Sequence, residues 1–141
     1  MKMPRIRVAG ILEKENKILF IKHKKEENEY WLLPGGGVDY GETFQKALER
    51  EFIEETGLRI NVGKMKFISE AIAPNTKRHI VNIFFEVNYI SGELKIGDEK
   101  ILKELKYLEK KQLENKIIYP NIKKELLEEH LHIEYLGNRW E

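Results

Sequence analysis

The stretch Gly35–Leu58, GGGVDYGETFQKALEREFIEETGL, carries the strongest local signals in the chain. Its three leading glycines follow Pro34, and because glycine and proline both interrupt regular structure, the stretch opens as a loop. From Thr43 onward the apolar spacing is helical. Thr43 suits the N-cap, and Gly57 suits the left-handed position just past the last turn. The stretch is therefore predicted to be a glycine loop followed by one helix.

The predicted helix carries carboxylates where its apolar face should continue. The apolar stripe begins with Phe44, Ala47 and Leu48. Continued at about 100° per residue, it meets Glu51 and Glu55, with Glu54 beside them. Like charges at this spacing repel, and burial raises the cost. A hard divalent cation bound through oxygen, Mg2+ by default, would offset them. A solvated acidic helix face is the alternative, but the glycine loop favours a site for a phosphate–metal complex.

Composition narrows the class of protein. The chain has 141 residues, with 41% hydrophobic and 35% charged, and we expect residues 1–141 to form a single domain. The net charge of +1 provides no global field for nucleic acid or an anionic membrane. The absence of cysteine excludes disulfides and thiol catalysis and agrees with a reducing compartment. No apolar run approaches the ~20 residues of a membrane span and no signal-peptide core is present, so the expected location is cytoplasmic.

Alternation and turn signals predict an order of strands, helix, strands, helix. The predicted strands are Arg5–Glu13, Ile18–His23, Val62–Ala73, Arg78–Ile90 and Glu104–Leu108. Lys24–Glu29 is predicted to be a charged mobile loop, Pro120–His130 the second helix and His132–Glu141 a tail. This order favours an α/β sandwich with a mixed β-sheet between helices.

The stretch resembles the Nudix box, G-x5-E-x7-R-E-U-x-E-E-x-G-U, where U is a bulky apolar residue. Its nine fixed positions are filled in register by Gly36, Glu42, Arg50, Glu51, Phe52, Glu54, Glu55, Gly57 and Leu58. Phe52 is aromatic where an aliphatic residue is commoner. The resemblance implies a Nudix-type α/β/α sandwich and a MutT-like hydrolase of a nucleoside diphosphate linked to another group, X.

The resemblance also implies the chemistry: Mg2+, or Mn2+, assists attack of water on one phosphorus of a pyrophosphate link. The implied metal ligands are the Gly35 carbonyl and the carboxylates of Glu51, Glu54 and Glu55. The candidate catalytic residues are Glu51, Glu55 and Glu99. The general base is Glu51 from the box or an acid from a later loop, of which Glu99 is the choice.

Four positions of the box are expected to be structural, namely Gly36, Glu42, Arg50 and Gly57. By resemblance, Arg50 orients a box glutamate, and Glu42 is its expected salt-bridge partner. The candidate substrate contacts are Arg5, Arg7, Asn82 and Phe84. Tyr30, Trp31 and Phe84 could stack a base, although aromatic residues in strands usually belong to the core.

Three functions remain open from sequence alone. The first is a pyrophosphohydrolase on a small nucleotide: a nucleoside triphosphate, ADP-ribose, a dinucleoside polyphosphate or a sugar nucleotide. The second is a nucleotide-sensing domain without hydrolysis, although none of the box glutamates is lost. The third is an RNA 5′-end pyrophosphohydrolase, although no basic stripe supports long RNA. Many relatives are dimers, so a homodimer is an expected assembly.

Overall fold

Eight strands and two α-helices make up the fold of the described residues, 2–129 and 132–140, in this computed structural model. The strands are β1 (Arg5–Lys14), β2 (Lys17–Lys25), β3 (Asn28–Leu32), β4 (Gly35–Gly37), β5 (Arg59–Ile72), β6 (His79–Ser91), β7 (Leu102–Glu109) and β8 (Glu134–Asn138). The helices are α1 (Phe44–Thr56), a 3-10 helix (Lys110–Asn115) and α2 (Lys123–Leu127). Within these residues no helix is long and apolar enough to cross a membrane.

The strands form one mixed sheet in the order β3-β2-β1-β6-β5-β8. The pairs β1–β6 and β5–β8 are parallel, whereas β1–β2, β2–β3 and β5–β6 are antiparallel. Off this path, β4 pairs with β1 and β7 with β2. The mixed sheet predicted from the order of elements is confirmed.

Consecutive residues of the central strands enter opposite apolar layers. Val8 packs in the layer that contains α1, and its neighbour Ala9 packs in the other. The α1 layer includes Ala47, Leu48 and Phe52 of the helix. The opposite layer includes Leu113, Ile122 and Leu126. Because both faces of the sheet are covered, the architecture is the expected α/β/α sandwich.

Helix α1 begins and ends where its caps predict. The Thr43 hydroxyl accepts a 3.1 Å hydrogen bond from the Lys46 amide, which satisfies one of the first-turn N–H groups. At the other end Gly57 has φ 76°, and its amide donates to the Ile53 carbonyl at 3.0 Å. Both predicted caps are confirmed, so the boundaries of the helix are set locally.

The prediction that Lys24–Glu29 is a mobile loop is wrong. Strand β2 continues to Lys25 and β3 begins at Asn28, with a tight turn between them. Both strands carry charged side chains here, so the hairpin produces no alternation of apolar and polar residues in the sequence. Lys22 and Glu29 form an ion pair across the hairpin at 3.4 Å. The backbone ladder therefore forms without an apolar signal from these side chains.

The second helix is shorter than predicted. Only Lys123–Leu127 is α-helical, whereas the prediction began at Pro120, and its predicted end at His130 lies outside the described residues. Ile122 and Leu126 are buried, but Leu127 is 44% exposed. The apolar stripe thus anchors little more than one turn, and helices this short depend on tertiary packing.

The predicted tail contains a strand. Residues of β8 pair in parallel with β5, with Tyr135 opposite Ile68. The Arg139 side chain follows, and its guanidinium contacts the Glu125 carboxylate of α2 at 3.1 and 3.3 Å. These partners are distant in sequence, which is why the local pattern missed the strand. The predicted end of the tail at Glu141 lies outside the described residues.

Candidate active site

The glycine strand β4 is pressed between β1 and α1. Gly35 lies opposite Ala9, and Gly37 lies opposite Arg7. A Cβ on Gly35 would lie 2.0 Å from the Val8 carbonyl oxygen, and a Cβ on Gly36 would lie 2.3 Å from Cδ of Glu51. Only glycine permits both approaches, so the bare backbone of β4 reaches the carboxylates of the helix.

Glu55 is the most buried of the three box glutamates on α1. It is 7% exposed, and its Oε1 accepts a 2.9 Å hydrogen bond from the Gly35 amide. Burial raises the pKa of Glu55 to about 7, while the Gly35 amide and the charge of Arg7 oppose the rise. Burial thus disfavours the ionised carboxylate in the metal-free protein, and a bound cation would favour that ionised form.

Arg50 organises the acidic side of the site. Its Nε and Nη2 donate to the two carboxylate oxygens of Glu42, each at 2.8 Å. Nη1 donates to Oε1 of Glu51 at 2.8 Å, and Nη2 also donates to the Gly37 carbonyl at 3.1 Å. The hydrogen bond with Arg50 holds the pKa of Glu42 at about 2. Arg50 therefore joins the glycine strand, the loop before α1 and the helix itself, and the predicted pair with Glu42 is present.

Glu51 and Glu54 occupy different environments. Glu51 is half-buried, and burial raises its pKa while its hydrogen bond with Arg50 opposes the rise. The side chain of Glu54 is 56% exposed and lies 3.4 Å from Nη1 of Arg50. Arg50 thus draws both carboxylates toward itself, because it is the nearest positive charge.

A second arginine, Arg7 of β1, also acts on the carboxylates. Arg7 is half-buried, and its Nη2 donates to the Leu33 carbonyl at 3.2 Å. Burial lowers the pKa of Arg7, and the charges of Glu55 and Glu51 oppose the change. Arg7 therefore lies within electrostatic range of both carboxylates and adds positive potential to the site.

The segment that carries Glu99 is hydrogen-bonded to the C-terminal end of α1. The amides of Lys95 and Gly97 donate to the carbonyls of Thr56 at 2.8 Å and Glu55 at 3.2 Å. These bonds fasten the polar connection to the helix, and the exposed Glu99 then lies near enough for its charge to raise the pKa of Glu55. The structure thus places the later-loop acid within electrostatic range of Glu55.

The candidate substrate contacts separate into different environments. Arg5 is exposed and lies beside Gly37, where a Cβ on the glycine would be 3.1 Å from its Nη2. Asn82 is opposite Arg7 in the sheet but only 3% exposed, and its contact with substrate stays a prediction. The prediction that Phe84 contacts substrate is wrong, because Phe84 has no exposed surface and its ring centroid lies 4.8 Å from that of Phe67 in the core.

A buried polar atom on β2 lacks a partner. Among residues 2–129 and 132–140, the buried side-chain atoms without a hydrogen bond are Nε2 of His23 and Oγ of Ser69. Burial, together with Arg7, lowers the pKa of His23 to about 4, so the imidazole is neutral at pH 7. Sequence reasoning missed His23, whose only signal was a histidine ending the apolar run of a predicted strand.

The carboxylate oxygens at the site are the ligands that a hard divalent cation prefers, but these side chains do not converge on one point. Carboxylate oxygens are the ligands that Mg2+ prefers, and burial disfavours the ionised forms of Glu51 and Glu55. Within the described part of the chain, however, no group of three acidic or histidine side chains is preformed to hold a metal. Arg50 and the Gly35 amide hold the carboxylates instead, so a cation would have to compete for these oxygens.

The architecture and this acidic site can be compared with known proteins. The NUDIX domain family model matches residues 1–129. The chain belongs to the Nudix family. The resemblance found in Gly36–Leu58 is thereby confirmed, and the mixed α/β/α sandwich is the Nudix fold.

Two curated Nudix relatives show significant sequence similarity. An ADP-ribose pyrophosphatase of Methanocaldococcus jannaschii is 41% identical over 97 residues, which is 68% of this chain and 57% of the relative. An RNA pyrophosphohydrolase of Pelagibacter ubique is 32% identical over 85 residues, 60% of this chain and 53% of the relative. The similarity therefore spans little more than half the length of these curated relatives.

Solved structures agree on the fold. A NUDIX hydrolase from Nitrosomonas europaea superposes with a TM-score of 0.77 at 17% identity, covering 87% of this chain and 85% of that one. An ADP-ribose pyrophosphatase from Streptococcus suis superposes with a TM-score of 0.71 at 18% identity, covering 94% and 99%. At these identities the likeness establishes the Nudix architecture alone.

Proposed function

We propose that this chain is a Mg2+-dependent Nudix pyrophosphohydrolase that cleaves the pyrophosphate link of a nucleoside diphosphate joined to X. The observation that carries the proposal is a pair of carboxylates beside the glycine strand: half-buried Glu51, held by Arg50, and buried Glu55, held by the Gly35 amide. Residues 1–141 act as one domain in this proposal, with a small nucleotide as the substrate. Mn2+ is the alternative cation.

The carboxylates of Glu51, Glu54 and Glu55 and the Gly35 carbonyl would hold the metal. When bound, Mg2+ would neutralise phosphate oxygens and acidify a water molecule. A pyrophosphate carries several negative charges, so the acidic face by itself would repel it. Arg7 and Arg5 add positive charge on the β1 side of the same glycine strand, which supports a phosphate-binding role for them.

Glu51 is the proposed general base. Arg50 holds its Oε1 at 2.8 Å and so orients the carboxylate, while Oε2 accepts the proton from the attacking water. Burial raises the pKa of Glu51, which makes it a better proton acceptor at neutral pH. Glu99 is the second candidate, because its charge also reaches the site. Comparing Glu51→Gln with Glu99→Gln separates them: the base variant loses the rise of kcat with pH, and the other keeps it.

A substrate panel with Mg2+ tests the proposal. It contains nucleoside triphosphates, ADP-ribose, dinucleoside polyphosphates and sugar nucleotides, with nucleoside monophosphates as controls. ADP-ribose has priority because a Nudix relative carries that activity in its name. We expect cleavage of the pyrophosphate link to release a nucleoside monophosphate, with no phosphate from the controls. Phosphate release from a monophosphate, with no cleavage of any diphosphate-linked substrate, would overturn the proposed reaction class.

RNA 5′-end hydrolysis is the second candidate function. It is favoured by the similarity to the Pelagibacter ubique RNA pyrophosphohydrolase. A short RNA with a 5′-triphosphate therefore belongs in the panel, and its cleavage faster than that of free nucleotides would identify this activity. Nucleotide binding with no turnover of any substrate would instead identify a sensing domain.

A further inference from the structure

Two tyrosines form a half-exposed aromatic surface where the segment before α2 meets β3. The rings of Tyr30 and Tyr119 lie 4.9 Å apart with an interplanar angle of 43°. Tyr119 is 44% exposed, so ring surface remains available to a ligand. Base–aromatic stacking requires such a surface, and it tolerates any base because every base has a π-face.

The backbone holds this surface in place. The Trp31 amide donates to the Ile117 carbonyl at 2.8 Å, and the Tyr119 amide donates to the Trp31 carbonyl at 3.1 Å. These bonds fasten the segment before α2 to β3, which leads directly into the glycine strand. Tyr30 and Tyr119 are therefore positioned by paired backbone rather than by a loose loop.

A series of contacts connects the aromatic surface with the acidic site. Tyr30 is the cross-strand partner of His23, and their rings lie 5.7 Å apart. Arg7 connects the two regions, because its Nη2 donates to the carbonyl of Leu33, the residue after β3, at 3.2 Å, and its charge acts on both His23 and Glu55. A nucleotide with its phosphates near Arg7 and the carboxylates would thus have its base on the His23 side.

His23 supplies an unpaired polar atom at this position. Its Nε2 is buried and lacks a hydrogen-bond partner, and such an atom costs stability unless a ligand or water satisfies it. A neutral imidazole offers one donor and one acceptor. The polar edge of a nucleobase presents complementary groups, whereas the flat face of the same base matches the tyrosine rings.

We propose that Tyr30, Tyr119 and His23 form the nucleobase-recognition surface of this chain, with the two tyrosines stacking the base and Nε2 of His23 binding its polar edge. The proposal rests on the proposed function, since it deepens the substrate class of the same site. In this proposal the surface recognises the nucleobase of the substrate and not the group X.

Calorimetric binding of AMP, GMP, CMP and UMP, with ribose 5-phosphate as the base-free reference, tests the tyrosines independently of turnover. We expect at least one mononucleotide to bind about tenfold more tightly than ribose 5-phosphate. Tyr119→Leu and Tyr30→Leu should remove this preference, Tyr119→Phe should keep it, and Tyr89→Leu serves as a control outside the surface. Equal binding of ribose 5-phosphate and all four mononucleotides, or a preference that survives Tyr119→Leu, would overturn the proposal.

His23→Phe tests the polar contact through two readouts. It removes the unpaired nitrogen while keeping a ring of similar shape, so the melting temperature of the ligand-free protein should rise. Affinity for the preferred mononucleotide should fall several-fold, with that for ribose 5-phosphate unchanged. A lower melting temperature with unaltered mononucleotide binding would show that His23 is structural. Failure of hydrolysis in the substrate panel leaves these binding results intact, so the two proposals fail separately.

Discussion

The Gly35 amide donates a 2.9 Å hydrogen bond to Oε1 of Glu55 across 20 residues of sequence. This bond joins the glycine strand to the last turn of α1. It also keeps one oxygen of a buried carboxylate oriented toward the strand. Because a side chain at Gly35 would meet the Val8 carbonyl at 2.0 Å, the bond depends on glycine at this position.

Gly35→Ala should destabilise the protein and reduce activity. Its Cβ collides with backbone, so β4 must move away from β1, and overpacking of this kind costs about 1–3 kcal/mol. Gly37→Ala is the matched control, since its Cβ would meet only the flexible end of Arg5 at 3.1 Å. Chemical denaturation of both variants gives the comparison. Equal free energies of unfolding for the two would contradict the tight contact at Gly35.

Glu55→Gln should lower turnover by orders of magnitude while the fold survives. The substitution removes the charge of a buried candidate ligand but keeps its shape and its hydrogen bond from Gly35. Glu49→Gln, on the same helix but at a variable position of the box, is the control and should retain activity. Steady-state hydrolysis of the best substrate with Mg2+ is the measurement. Near-normal activity of the Glu55 variant would show that the carboxylate has been assigned wrongly.

Arg50→Lys should reduce both stability and kcat although it preserves the charge. Lysine cannot reproduce the paired 2.8 Å hydrogen bonds to Glu42 together with the bond to Glu51, because its ammonium lacks the planar fork of the guanidinium. The loss should be non-additive with Glu42→Gln, since both changes break one network. A double-mutant cycle in thermal unfolding measures the coupling, and strictly additive effects would mean that the pair contributes nothing.

The stability of the metal-free protein should depend on pH through Glu55 and Glu42, and their contributions should change with pH in opposite directions. The pKa of Glu55 is raised from 4.5 to about 7, so its contribution is fully present below pH 4.5 and is lost as pH rises to about 7, a loss of about 3 kcal/mol. The pKa of Glu42 is lowered to about 2, so its contribution is present above pH 4.5 and is lost as pH falls toward 2. Denaturant unfolding in EDTA should show wild type losing stability relative to Glu55→Gln between pH 4.5 and 7. A constant difference over that range would refute the raised pKa.

Mg2+ should raise the melting temperature at constant ionic strength. A cation that binds only the folded form stabilises by about 2.7 kcal/mol at a hundredfold excess over its Kd. Substituting Glu54→Gln together with Glu55→Gln should shrink this response, whereas Glu49→Gln should keep it. Matched monovalent salt should have a smaller effect, because it screens charge without bridging carboxylates. Identical Mg2+ titrations for wild type and the double variant would mean that the acidic face is ordinary solvated surface.

The sequence by itself determined the helix α1, its two caps and the carboxylates it presents, because all of these depend on spacing within one short segment. The Arg50–Glu42 pair was expected from the resemblance to the Nudix box, which contains both residues. The resemblance to the box identified the family, and the order of strands and helices along the chain predicted the mixed sandwich.

Only the tertiary structure decided which of these groups are buried and what they meet. Glu99 lies within electrostatic range of Glu55 because amides after β6 bond to the end of α1, and Arg7 lies opposite Gly37 because β4 pairs with β1. Phe84 alternates in sequence like a surface contact, yet the opposite layer covers it completely. His23 and Tyr119 meet at Tyr30 across most of the chain. Burial and long-range pairing arise from the packing of distant segments, which no local pattern of residues specifies.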